Sequence, residues 1–225
     1  MKILIIEDEK DLRDSMVTYL TQEGYLCEVA SNFAAGIDKI VNYKYDCLVV
    51  DLMLPKGNGL DLIREVKKMN LTGGIIIISA NGSLENKIAG LEIGSDDYLT
   101  KPFHLSELNA RIKSIIRRRS FEGNTEIVFN EIKILPQSRE VYANETLLNL
   151  TTKEYDLLMF FISNKGKVIP KDSLVEHLWG DEMDQADSFD FIYTHIKNLR
   201  KKLIKTGCTD YLDTVYGIGY KFHSK

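Results

Sequence analysis

The 225-residue chain predicts an α/β domain built on a five-stranded, doubly wound parallel sheet, followed by a smaller α+β domain. Three observations carry this reading. The first half alternates short apolar runs with segments of helical spacing. Those apolar runs are near-continuous, as a sheet covered on both faces requires. After Arg117-Arg118-Arg119 the pattern changes to alternating strands, then helices, then a glycine-marked hairpin. The first domain is placed at 1–119, a short linker around Gly123 at 120–125, and the second domain at 126–225.

The strand candidates of the first domain are Ile3–Ile6, Leu26–Ala30, Cys47–Val50, Ile75–Ser79 and Tyr98–Thr100. Helix candidates follow them at Asp11–Glu23, Phe33–Val41, Gly59–Lys68, Leu84–Ile93 and Leu105–Arg119. In the first helix Leu12, Met16, Tyr19 and Leu20 make one apolar stripe. Five βα units in succession predict parallel strands joined by crossovers.

In the second domain Ile127–Leu150 alternates apolar and polar residues around the turns Pro136-Gln137-Ser138 and Ala143-Asn144, an antiparallel meander. Thr151-Thr152-Lys153-Glu154 is a capping-box pattern, opening a helix through Tyr155, Leu158, Phe161 and Ile162 that Asn164-Lys165-Gly166 ends. Pro170 suits the first turn of a second helix reaching Trp179. A third helix spans Ser188–Ile204, and Leu212–Phe222 reads as a hairpin turning at Gly217-Ile218-Gly219. A small sheet, three helices and a terminal hairpin make a winged helix-turn-helix.

Composition bounds the function. With 44% hydrophobic and 28% charged residues the chain is of soluble globular type, and no apolar run approaches the ~20 residues of a membrane span. The start turns acidic at Glu7, too soon for a signal peptide. Cys27, Cys47 and Cys208 are scattered and odd in number, which suits core residues in a reducing compartment. A cytoplasmic protein without a membrane partner is expected. His177 and His223 read as structural, since no His/Cys ligand spacing is present. The net charge of −4 divides into −1 for residues 1–119 and −3 for 120–225, so any basic surface must be local. Only His195–Lys205 qualifies, with Lys197, Arg200, Lys201, Lys202 and Lys205 and no acid.

Asp51 ends the apolar run Cys47-Leu48-Val49-Val50, and Glu7 and Asp8 end the first strand. Carboxyl ends of strands are where open α/β sheets place their chemistry. If the two strands are neighbours, three carboxylates converge, and such a cluster calls for a cation. Hard oxygen ligands suit Mg²⁺. Lys101, just past Tyr98-Leu99-Thr100, is placed to oppose the cluster, and Ser79 adds a hydroxyl to the rim. The bond before Pro102 is a candidate for the cis form. An aspartate so surrounded can accept a phosphoryl group. Glu9 and Asp11 fit simple helix N-terminal charges instead. On spacing alone Ser79 and Lys101 say little, and Tyr98 fits a core as well as a switch.

Within Ser188–Ile204, Phe189, Ile192, Ile196, Leu199 and Leu203 share one stripe. Thr194, Lys197, Asn198 and Lys201 project opposite, with His195 and Arg200 on the flanks. An apolar back with a cationic front suits the major groove of DNA, although the same charges also fit a solvated helix face.

Glu7-Asp8, Asp51, Ser79 and Lys101-Pro102, in this order over about 120 residues, resemble the flavodoxin-like receiver domain of two-component response regulators. The second half resembles the OmpR/PhoB winged-helix domain, so the resemblance covers the chain. It implies that a sensor histidine kinase phosphorylates Asp51, that Glu7, Asp8, Asp51 and the Met53 carbonyl hold Mg²⁺, and that Ser79, Lys101 and Tyr98 answer the phosphoryl group. It also implies a phosphorylation-dependent homodimer using Lys87 with Glu107, Asp97 with Arg111 and Asp96 with Arg118. Thr194, His195, Lys197, Asn198, Arg200, Lys201, Tyr216 and Lys221 would meet double-stranded promoter DNA, and RNA polymerase would be a further partner. Two positions depart from the common pattern. Tyr193 stands where many members have an acid. Tyr216 stands where many have a wing arginine, and a tyrosine cannot supply the charge a narrow minor groove attracts.

The implied function is a phosphorylation-controlled transcription regulator that assists its own phosphoryl transfer and dephosphorylation. A phosphatase acting on external substrates is the enzymatic alternative. Such sites usually carry a second acid two residues after the nucleophile, where this chain has Met53. A third possibility is a winged-helix regulator that binds DNA independently of phosphorylation.

Overall fold

The computed structural model describes residues 1–55, 57–69, 73–80, 83–121, 126–180 and 190–223. Residues 122–125 of the expected linker, with Gly123, lie outside the described residues, as do Ser188 and Phe189 of the expected third helix. Contacts divide the chain into two compact units, Met1–Arg119 and Ser120–Lys225.

The first unit is a five-stranded parallel sheet in the order β2-β1-β3-β4-β5. Its strands are β1 Lys2–Ile6, β2 Leu26–Ala30, β3 Cys47–Asp51, β4 Gly74–Ser79 and β5 Asp97–Thr100. Every residue of β1, β3 and β4 is buried, which is why these runs are apolar without alternation. The connecting helices are α1 Lys10–Gln22, α2 Phe33–Asn42, α3 Gly59–Lys68, α4 Leu84–Glu92 and α5 Leu105–Phe121. Asn32, Asn58 and Ser83 cap α2, α3 and α4 with side-chain oxygens that accept first-turn amides. One core, including Leu4, Ile6, Val50, Leu62 and Ile77, packs against the sheet.

The strand order reverses between β1 and β3, the point where such folds open a crevice. Ile3 lies opposite Cys47 and Ile6 opposite Val50, so the residues that follow, Glu7 and Asp51, emerge side by side. At the other end of β1, Lys2 is fully buried. Its ammonium lies 2.8 Å from Glu28, with the rings of Tyr43 and Tyr45 centred 4.7 and 4.9 Å away.

The second unit opens with a four-stranded antiparallel meander in chain order: β6 Ile127–Phe129, β7 Ile132–Leu135, β8 Glu140–Ala143 and β9 Thr146–Leu148. Helix α6, Thr152–Ser163, begins with the expected capping box between Thr151 and Glu154. There follow β10 Val168–Pro170, α7 Lys171–Trp179, α8 Asp190–Lys205 and the hairpin β11 Leu212–Val215 with β12 Gly219–Phe222. The strand β10 was not anticipated. It pairs with β12, giving a three-stranded sheet in the order β10-β12-β11. Pro170 therefore takes extended backbone (φ −60°, ψ 151°) and caps α7 rather than sitting in its first turn. An edge strand tolerates a proline because its missing amide faces no neighbour.

Gly219 sits opposite Pro170, and a Cβ built there would lie 1.9 Å from the Ile169 carbonyl oxygen. Gly219→Ala is expected to destabilise the second unit by about 1–3 kcal/mol through overpacking. Chemical denaturation followed by Trp179, the one tryptophan, reads that unit. The first unit's transition, followed by circular dichroism, should not move.

Candidate functional site

Glu7, Asp8 and Asp51 each bring a carboxylate oxygen to one spot, all within 4.8 Å of one another. Glu7 and Asp51 are buried and Asp8 is exposed, so the cluster has one open side. Lys101 Nζ donates to Glu7 Oε2 and Asp51 Oδ2, both at 2.7 Å. The second oxygen of Asp51 accepts the Met53 amide at 3.0 Å, and the second oxygen of Glu7 accepts the Glu9 amide at 3.2 Å.

The charges show the strain of this convergence. Burial pushes the Glu7 carboxyl up to about 7; the Lys101 hydrogen bond opposes that rise and the Asp51 charge adds to it. Burial also works against the Lys101 ammonium, yet its hydrogen bonds to Asp51 and Glu7 prevail and hold it above its ordinary range. Three oxygen donors with a single ammonium leave net negative charge, a donor set that fits a hard divalent cation.

Backbone packing fixes the pocket. Gly59 opens α3 so close to Asp51 that a Cβ there would lie 2.2 Å from the Asp51 carbonyl oxygen. Arg13, one turn into α1, reaches back to donate to the carbonyls of Glu7 at 2.8 Å and Asp8 at 3.2 Å. Nothing in the residue pattern marked Arg13 for that role. Ser79 is buried at the end of β4, and its carbonyl accepts the Lys101 amide at 2.8 Å, which aligns the two residues on adjacent strands. The Lys101–Pro102 bond is cis. Met53 is 70% exposed beside Asp51. Tyr98 is buried in the sheet core, its ring under Gly90 of α4.

Helices α4 and α5, strand β5 and Asp96 just before it carry the remaining sequence-predicted residues of this unit. Arg111 donates to Asp97 at 2.8 and 2.9 Å and to Glu107 at 2.7 and 3.1 Å. These bonds, Asp97 first, hold the guanidinium above its usual range. The Asp96 carboxylate meets Arg119 at 2.9 Å, whereas Arg118 donates to the Asp96 backbone carbonyl at 3.5 Å. Lys87 is half-buried on α4, where Leu84, Ile88 and Leu91 are exposed apolar residues.

In the second unit α8 turns Ile192, Ile196, Leu199 and Leu203 inward and Thr194, Lys197, Asn198 and Lys201 outward. Two cations of the basic run are engaged within the unit. Arg200 Nε donates to Asp210 at 2.8 Å, and Lys202 bonds Glu154 at 2.6 Å and the Asn149 carbonyl at 2.7 Å. His195 lies half-buried against Trp179, ring centroids 5.6 Å apart. Tyr193 packs beside Tyr220 of β12, and the Lys171 ammonium lies 5.1 Å over the Tyr193 ring. Tyr216 stands exposed at the hairpin tip and Lys221 is half-buried on β12.

Comparison with known proteins agrees with both halves. Residues 3–113 match the family model "Response regulator receiver domain", and residues 144–222 match "Transcriptional regulatory protein, C terminal". Response regulator ArlR of Staphylococcus haemolyticus is 37% identical over 218 residues, covering 97% of each chain. The chain belongs to the OmpR/PhoB family of response regulators.

A second relative of this response regulator, the alkaline phosphatase synthesis transcriptional regulatory protein PhoP of Bacillus subtilis, is 35% identical and covers 98% of this chain and 95% of its own. Among solved structures, the receiver domain of Francisella response regulator 1452 matches with a TM-score of 0.51 and 38% identity, covering 52% of this chain and 97% of that one. This response regulator thus joins a receiver to a DNA-binding domain of the transcription-regulating kind. No helix among its described residues is long and apolar enough to cross a membrane.

Lys101 is the ammonium that lets two buried carboxylates coexist. Lys101→Ala should therefore destabilise the receiver by about 1–3 kcal/mol in chelator-containing buffer, the cost of a buried polar group left unsatisfied. Urea denaturation monitored by circular dichroism, with Mg²⁺ restoring part of the loss, checks this.

Proposed function

We propose that Asp51 accepts a phosphoryl group from the phosphohistidine of a sensor kinase, and that this bond controls promoter binding by the second domain. The observation that carries the reading is the Lys101 ammonium at 2.7 Å from both Glu7 and Asp51. An Asp51 carboxylate oxygen forms a bond to phosphorus as the nitrogen–phosphorus bond of the donor breaks, and the imidazole leaves with its electron pair. Lys101 then offsets charge on the phosphoryl oxygens, and Ser79 offers them a hydroxyl. Mg²⁺ held by Glu7, Asp8, Asp51 and the Met53 carbonyl would supply further charge neutralisation. Hydrolysis of the aspartyl phosphate by water resets the site, without turnover of external substrates.

The switch we propose runs through Ser79 and Tyr98 to α4, β5 and α5. Arg111, Asp97 and Glu107, which already bond one another, would exchange into a symmetric dimer with Lys87, Asp96 and Arg118. Pairing two effector domains, each 126–225, raises the effective concentration of the second on adjacent half-sites. Thr194, Lys197, Asn198 and Lys201 form the reading face of α8, with His195, Arg200, Tyr216 and Lys221 around it and RNA polymerase as a further partner. The soluble domains and uncoupled thiols suit the cytoplasm.

Incubation with a small phosphodonor and Mg²⁺ should add the mass of one phosphoryl group to the wild-type chain and none to Asp51→Ala. A gain that survives the substitution excludes Asp51 as acceptor. On DNA, Lys197→Ala should weaken binding across sequences and lower the salt slope by about one. Asn198→Ala should instead relax base preference, by about 1–3 kcal/mol at one position if it pairs with adenine. Binding titrations at several salt concentrations on selected and scrambled duplexes separate the two effects.

A further inference from the structure

Arg200 lies on the flank of α8, one turn past Lys197 of the outward face. Its Nε donates to Asp210 Oδ2 at 2.8 Å, and Nη2 bonds the same oxygen. The pair is partly exposed. Asp210 is itself fixed from several sides. Its Oδ1 accepts the Leu212 amide at 3.3 Å. The amide of Thr209, just before it, donates to Glu131 at 2.9 Å, and the hydroxyl of Tyr211, just after it, bonds the same carboxylate. Asn130 donates to that hydroxyl at 3.0 Å, and the buried Tyr211 ring packs edge-on against Phe129. The loop that carries Asp210 is thus anchored to the turn between β6 and β7.

We infer that Asp210 is a built-in competitor for Arg200, masking one cation beside the reading face and so lowering the affinity of the domain for any duplex. This rests on the DNA-binding reading of α8 and names a residue that limits it. A guanidinium takes a carboxylate or a phosphate through the same donors. A partly exposed ion pair is a weak fastening, so a DNA phosphate can draw Arg200 away at little cost. Asp210 cannot withdraw when that happens, because its loop is anchored. Its negative charge is then left unpaired close to the phosphate, and the exchange gains little. Phosphate neutralisation supplies the sequence-independent part of DNA affinity, whereas base contacts supply discrimination. With Arg200 held back, a lone domain grips non-specific DNA weakly. Occupancy then depends more on base contacts and on the pairing of two domains.

The test uses the full chain, a duplex selected by it from a random pool and a scrambled duplex, titrated by fluorescence anisotropy across a salt series. Asp210→Asn keeps an acceptor for the Leu212 amide and removes only the charge. It should bind both duplexes about three- to tenfold more tightly than wild type at about 0.1 M salt, with a salt slope steeper by about one. Combining Arg200→Ala with Asp210→Asn should return affinity and slope to wild-type values, because the pair is then removed as a whole. Glu145→Gln, an equal change of net charge at the exposed turn between β8 and β9, should move neither quantity. Masking is overturned if Asp210→Asn binds no more tightly than wild type, which leaves the pair a strut. It is equally overturned if the gain survives the added Arg200→Ala, or if Glu145→Gln produces the same gain. Should Lys197→Ala be without effect on either duplex, the reading of α8 itself fails. Circular dichroism should find Asp210→Asn native; if it does not fold, Asp210→Ser keeps a short acceptor and carries the same expectation.

Discussion

Everything in the receiver depends on holding negative charges together at the point where the sheet reverses direction. Two carboxylates 4 Å apart repel by about 4 kcal/mol at an effective dielectric of about 20, and burial adds to that cost. The strand register leaves Glu7 and Asp51 no way to separate, because Ile6 and Val50 are paired just before them. Lys101, delivered by β5, is the counterweight within the chain. It does not neutralise the cluster, and burial, with the Asp51 charge adding to it, keeps the Glu7 carboxyl raised. A site in that condition could hold a metal ion, because its negative charge is not fully offset within the chain.

The same economy of charge appears on α4, β5 and α5. Arg111 and Arg119 already have carboxylate partners within the chain. Exchanging exposed ion pairs for equivalent ones across a dimer changes little in energy, since each is worth about 0–1 kcal/mol. In the proposed dimer such residues would set register and orientation, while the exposed Leu84, Ile88 and Leu91 would supply area to bury. Tyr98 lies beneath that helix against Gly90, so repacking its ring would be felt directly by α4.

In the second unit, cations that look alike along the helix do different work. Arg200 and Lys202 tie α8 to Asp210 and Glu154, fixing the helix on its support. Lys197 and Lys201 face outward. An acidic domain can therefore present a cationic face, because the face is made by a few positions and the rest of the charge is elsewhere.

The sequence by itself determined the strands and helices of the receiver, the meander, the capped helix and the hairpin, because apolar period, caps and glycine turns are local signals. It also brought Glu7, Asp8, Asp51 and Lys101 into one candidate site, since carboxyl ends of parallel strands share one edge. Tertiary structure alone decided the rest. Strand β10 is too short to announce itself and exists through pairing with β12. Lys2 is buried by neighbours that come from other segments, Glu28, Tyr43 and Tyr45. Arg13 holds the acidic loop, and Arg200 turns to Asp210, through contacts between residues whose spacing carries no period. Periodicity tells which face of an element is buried. Which partner a polar side chain finds there depends on what the fold brings opposite it.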